Sequence, residues 1–171
     1  MEKGVGREGD MRWIKAGAVG LLGSLIIFVV MVLGVQVTGA APFNLAPSAA
    51  FLEAVGLNIG PIAPIVHFLY GIGWAIILLA LFGDGVNVAK GLAVAGFQWL
   101  LFMVVFAPII GWGFFGIGGP AHALAADEVL YLGSPVKFLV LTLILHAVYG
   151  ALNGWLIPRW TGDSHKLKVA S

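Results

Sequence analysis

Cysteine is absent from this chain. That excludes a disulfide frame, a thiolate metal site and thiol chemistry, and leaves His, carboxylate, Met or a cofactor ring to hold any metal. Charge is nearly as scarce. Asp, Glu, Lys and Arg make up 10% of the residues against 60% apolar, and the mean hydropathy is +1.02. One soluble core needs far fewer apolar residues, so the bilayer is the expected solvent and lipid the first partner. The formal net charge is only +1, and the few Lys and Arg lie at the ends of apolar segments. No basic face is left for nucleic acid. A Ser-His-Asp set, a P-loop and an HExxH motif are also missing, so the chain is not expected to be an enzyme on its own. The apolar segments carry no Asp, Glu, Arg or Lys near mid-depth, which argues against an ion transporter.

What is present is hydrocarbon in four lengths. The segments 16–37, 61–82, 90–110 and 135–157 are each close to the roughly 20 residues that cross a hydrocarbon core of about 30 Å. They predict an all-α fold, an integral membrane four-helix bundle over residues 16–158, with polar tails at 1–15 and 159–171. Thr38-Gly39-Ala40 resembles a signal-peptide cleavage site. The apolar run before it is longer than the usual h-region of about 7 to 15 residues, so a retained helix is expected. Residues 48–55, with Gly56 behind them, suit a short helix at the membrane surface. Gly83-Asp84-Gly85 signals a tight turn, and Pro108 a kink near the end of the third span. With the N-terminus in the cytoplasm, eight of the nine Lys and Arg fall inside and only Lys137 outside, as the positive-inside rule requires. Both termini are therefore expected in the cytoplasm. Trp13, Trp112, Trp155 and Trp160 fall near predicted interfaces and read as belt residues.

One constellation occurs twice: His67-Phe-Leu-Tyr70-Gly71 in the second span and His146-Ala-Val-Tyr149-Gly150 in the fourth. Positions i, i+3 and i+4 share a helix face, so each copy lines up an imidazole, a phenol and a bare backbone. Aligning Lys15 with Lys90 pairs the first span with the third, and a further shift of four residues pairs the two His-x-x-Tyr-Gly motifs. The pattern predicts one helical hairpin used twice, related by a pseudo-twofold axis along the membrane normal. His67 then lies roughly 10 Å and His146 roughly 15 Å below the outer ends of their spans, at about 1.5 Å per residue. An unpaired imidazole in hydrocarbon costs several kcal/mol, so both rings should face the bundle interior and find partners.

Four readings of the pair are open. The imidazoles bond to helix carbonyls, Tyr70, Tyr149, Thr142 or Gln98 as interhelical glue. They ligate one b-type haem, with Gly71 and Gly150 leaving room for a flat macrocycle and Tyr70 and Tyr149 nearby. They form a quinone or proton-relay site. They bind a bare metal ion, for which two His leave the shell incomplete.

The arrangement resembles four-helix b-type membrane cytochromes, in which histidines on facing helices ligate haem. That resemblance implies haem b held by His67 and His146, and electron transfer. The chain departs from the multi-haem members in having one His per helix, and no outer Arg is available to pair propionates. Taken whole, it also resembles small uncharacterised four-helix membrane proteins of bacteria. The rival function is a non-catalytic accessory subunit in a larger membrane complex or a homo-oligomer. Gly111-Trp-Gly113-Phe-Phe-Gly116 matches G-x-G-x-x-G, but no predicted strand precedes it and it reads as a membrane-exit loop. His122, Asp127 and Glu128 do not share a helix face and read as solvated loop.

Overall fold

The computed structural model of the chain describes residues 3–57, 60 and 62–162. The basic end with His165, Lys166 and Lys168 lies outside the described residues. The elements are α1 (Lys3–Val32), α2 (Pro47–Ala54), α3 (Ile62–Phe82), α4 (Val88–Leu101), α5 (Ala107–Ile110), a hairpin of β1 (Gly113–Phe114) and β2 (Ile117–Gly118), and α6 (Pro135–Thr161). Met11–Val32, Ile62–Gly85, Val88–Ile110 and Pro135–Thr161 are long and apolar enough to span a membrane. The fold is an all-α four-helix bundle of a membrane protein.

Local chemistry explains the helix ends. Asn87 Oδ1 accepts from the Lys90 N–H at 3.0 Å and caps α4, while Ser134 Oγ accepts from the Lys137 N–H at 3.3 Å and caps α6. Pro47 sits in the first turn of α2, where its missing N–H costs nothing, and Gly56 follows that helix at φ +74°. The third span does not run straight into Pro108. Residues Phe102–Phe106 form a π turn in which Ala107 N–H bonds to the Phe102 carbonyl. The wider turn suits a proline that has no N–H and whose ring crowds the carbonyl four residues before it. The bypassed Met103 carbonyl accepts from Phe115 N–H at 3.3 Å.

Two boundaries differ from expectation. Residues 3–15 are helical and continue α1 rather than forming a tail, because extending a helix that the apolar span has already nucleated costs little. Arg12 pairs with Asp84 and ties this stretch to the α3–α4 turn. At the other end, α6 passes through Pro158 to Thr161. Its last carbonyls are satisfied by side chains, Arg159 Nη1 donating to Trp155 O at 2.7 Å and Thr161 Oγ1 to Ile157 O at 2.8 Å.

α1 lies along α3, α4 lies along α6, and α1 also packs on α6, whereas the consecutive helices α3 and α4 hardly touch. Glycine sets the close pairs. A Cβ on Gly20 would stand 2.7 Å from the Gly71 carbonyl, and one on Gly91 only 2.2 Å from the Gly150 carbonyl. Above these contacts, a core of loop and helix residues closes one end. Trp112, expected as a belt residue, is fully buried there. Its ring stacks on Phe43 at 5.6 Å and meets Phe138 edge-on at 5.2 Å, and its Nε1–H donates to Leu130 O at 3.0 Å. Trp13, Trp155 and Trp160 are each more than 40% exposed. The glycine-rich exit is a β-hairpin whose central residues, Phe115 and Gly116, both have positive φ, the mark of a turn matched to strand twist.

Candidate functional site

The site is built where the four spans and α2 converge. A cavity of about 210 Å³ lies between them, with Phe28 of α1, His67 of α3, Phe102 of the π turn and His146 of α6 among its walls. Pro47, Ser48 and Phe51 of α2 also face it. The two histidines that spacing places on interior faces therefore share one space, at the bundle end covered by α2.

Each imidazole is held by one nitrogen. His67 Nε2 is 2.9 Å from the Ser24 carbonyl on α1, and His146 Nδ1 is 2.7 Å from the Thr142 carbonyl one turn earlier on its own helix. A carbonyl only accepts, so both contacting nitrogens carry the proton. It follows that His67 Nδ1 and His146 Nε2 are bare acceptors, and neither has a protein partner among the described residues. Aromatic contacts fix the ring planes. His146 stacks on Phe102 at 6.3 Å and 22°, and His67 packs against Phe28 at 5.7 Å.

Gln98 of α4 adds a third acceptor. It is 4% exposed, lines the cavity, and its Oε1 is buried with no partner. An unpaired buried acceptor costs about 1–3 kcal/mol, and the donor beside the Gln98 side chain on the same wall is the Tyr70 hydroxyl. The hydroxyls of Ser24 and Thr142 are already committed to their own helices, Ser24 Oγ to Gly20 O at 2.9 Å and Thr142 Oγ1 to Phe138 O at 2.7 Å. Among the described residues, no Asp, Glu, Lys or Arg lines the cavity.

The two Tyr-Gly pairs are not equivalent. Tyr149 is 7% exposed and donates to the Gly71 carbonyl across to α3. Tyr70 is 36% exposed, lines the cavity, and lies edge-on to Trp74 on its own helix and to Phe106 of the π turn. Gly71 touches the cavity, yet its Cβ direction is filled by Ser24 Cβ at 2.6 Å. Gly150 does not line the cavity at all. The room that spacing assigns to a macrocycle there is occupied by α4, with Gly91 O and Ala95 Cβ each 2.5 Å from a Cβ position.

These facts decide the fit of the candidate ligands. An engineered protein cavity of about 150 Å³ takes up one benzene, so a cavity of about 210 Å³ matches one six-membered ring. Haem joins four pyrrole rings in a plane and needs room on both faces. The residues as they pack here do not fit it. No group of three or more His, Cys, Asp or Glu stands together among the described residues, so the two imidazoles alone would leave a metal ion's shell incomplete.

The spacing of the His-x-x-Tyr-Gly motifs brings out His67, His146, Tyr70, Tyr149 and Gly71. It does not bring out the α2 side of the cavity or the aromatic wall of Phe102 and Phe106. The signal for α2 was its Pro47 and Gly56 punctuation, which located a helix without saying what it covers. His122, read as loop, donates from Nε2 to Gly116 O at 2.7 Å, and Asn44 Nδ2 donates to Ala126 O and Glu128 O at 2.8 Å. Both pin the loops over the bundle. Comparison with protein families, curated proteins and solved structures returns no match to this chain.

Proposed function

We propose that this protein is a small membrane subunit that binds one lipid-soluble molecule of the quinone class between His67 and His146. The single observation that supports it is a one-ring apolar cavity edged by two bare imidazole nitrogens and an unpaired Gln98 oxygen. Such a pocket, apolar with a few convergent polar atoms, is the usual form of a small-molecule site. The imidazoles accept protons or hydrogen bonds from the ligand, the aromatic walls hold its ring, and the α3–α4 gap leads to lipid. We place the site in the outer half of the bilayer with both termini in the cytoplasm, because Arg12, Lys15, Lys90 and Arg159 lie at the end opposite Lys137. Exposed apolar side chains such as Leu69 and Phe97 offer surface to lipid or to further subunits.

The test is the content of the protein purified with its native lipids. Organic extraction and mass analysis should find a prenylated quinone enriched over its ratio to phospholipid in the parent membrane. An unenriched ratio refutes the reading. A Soret band that disappears on His67→Ala and His146→Ala replaces it with haem.

A further inference from the structure

We infer that the cavity selects the reduced, dihydroxy form of its ligand, a neutral aromatic diol of the quinol type, over the oxidised quinone. This rests on the cavity being a ligand site and adds which redox form it holds. The recognition comes from the count of donors and acceptors. His67 and His146 each direct their N–H at a backbone carbonyl, which leaves two nitrogens that only accept. Gln98 Oε1 is a third unpaired acceptor, in a side chain 4% exposed. A quinol brings two O–H donors to these atoms. The Tyr70 hydroxyl and the Gln98 amide N–H on the same wall can donate to either form, but a quinone brings acceptors only and leaves both nitrogens bare, the kind of mismatch by which a polar site rejects a near-isostere.

The rest of the wall agrees with a neutral ring. Phe102 already stacks on His146 and Phe28 lies against His67, so a ring entering between them meets aromatic faces and edges. With no Asp, Glu, Lys or Arg on the wall among the described residues, a phosphate headgroup or an ammonium finds no partner there. The occupant is uncharged.

The experiment uses the full chain in lipid nanodiscs under argon, with protein-free nanodiscs as the partition baseline. The probes are a decyl-tailed benzoquinol, its oxidised benzoquinone and its dimethyl ether. Equilibrium dialysis should give binding of the quinol at least tenfold tighter than of the quinone, about 1.4 kcal/mol, and the ether should be as weak as the quinone. On ¹⁵N-histidine protein, the quinol should shift the unprotonated ring nitrogens of His67 and His146, and the ether should not. Replacing both His67 and His146 with Phe should bring the quinol down to the level of the quinone, and the ¹⁵N shifts test the same contact without any substitution. Quinone binding as tight as quinol, or shifts of equal size with the ether, overturns the redox preference and leaves the site. Binding of none of the three above the lipid baseline overturns both.

Discussion

The tight glycine contacts make a sharp prediction about Gly91. A Cβ at this position would meet Gly150 O at 2.2 Å, Gly154 Cα at 2.9 Å and Gly154 N at 3.0 Å. All three are backbone atoms of α6, so no side chain can swing aside and the two helices must separate. Overpacking of this kind costs about 1–3 kcal/mol, and the upper end applies because the loss spreads along the whole α4–α6 seam. Against that, replacing a helical Gly gains about 1 kcal/mol in helix propensity. Gly91→Ala should therefore destabilise by about 2 kcal/mol. Gly96, one and a half turns further along α4, has nothing within 4 Å of its Cβ position. Gly96→Ala should be neutral or stabilising by up to about 1 kcal/mol. Reversible unfolding by SDS in mixed micelles, followed by far-UV ellipticity, measures both. If the two variants differ by less than about 0.5 kcal/mol, within the usual scatter of independent sites, the seam does not hold the bundle and the packing argument fails.

Other outcomes are expected from the ends of the bundle. Asn87→Ala removes the side-chain acceptor for Lys90 N–H and should lower stability by about 1 kcal/mol in the same assay. An effect below the noise would mean that tertiary contacts alone fix the start of α4. Trp112→Ala empties the aromatic core under the loops and should cost about 3–5 kcal/mol. The exposed Trp155, replaced in the same way, is the comparison, and equal effects would show that the loop core does not support the fold.

Length and hydropathy made the four spans legible, because a bilayer demands both together and no other solvent does. The His-x-x-Tyr-Gly spacing likewise located the shared face of α3 and α6, since burying an imidazole in hydrocarbon leaves it no other place. What spacing could not show was the partner. His67 and His146 use backbone carbonyls of Ser24 and Thr142, and every residue has a carbonyl, so composition carries no trace of the choice. Gly150 illustrates the same gap. Its place on the interior face was readable, but whether a ligand or a helix filled the space depended on Gly91 and Ala95, some 60 residues earlier in the sequence. Trp112 was misplaced for a related reason. Its burial depends on Phe43, Leu130 and Phe138 closing over it, and such long-range closure is invisible to a window moved along the chain. The polar stretch 3–15 lacked an apolar period and still became helix, because it inherits the nucleus of the span that follows.

The cavity itself argues for an occupant with donors. Keeping about 210 Å³ unfilled would forgo at most about 5 kcal/mol at the slope of about 24 cal/mol per Å³ seen for closed core cavities, an upper bound because this cavity is open on one side. That is comparable to the whole stability of a marginal domain, about 5–15 kcal/mol. Four helices serving only as packing could close such a space by exchanging Gln98 and the histidines for Leu and Phe. A lipid acyl chain entering between α3 and α4 would recover the volume term. It would still leave His67 Nδ1, His146 Nε2 and Gln98 Oε1 unpaired, and the fully buried Gln98 oxygen alone costs about 1–3 kcal/mol in that state. A ring with hydroxyls recovers both terms at once. Size and acceptor count are independent observations, and they point to the same class of molecule.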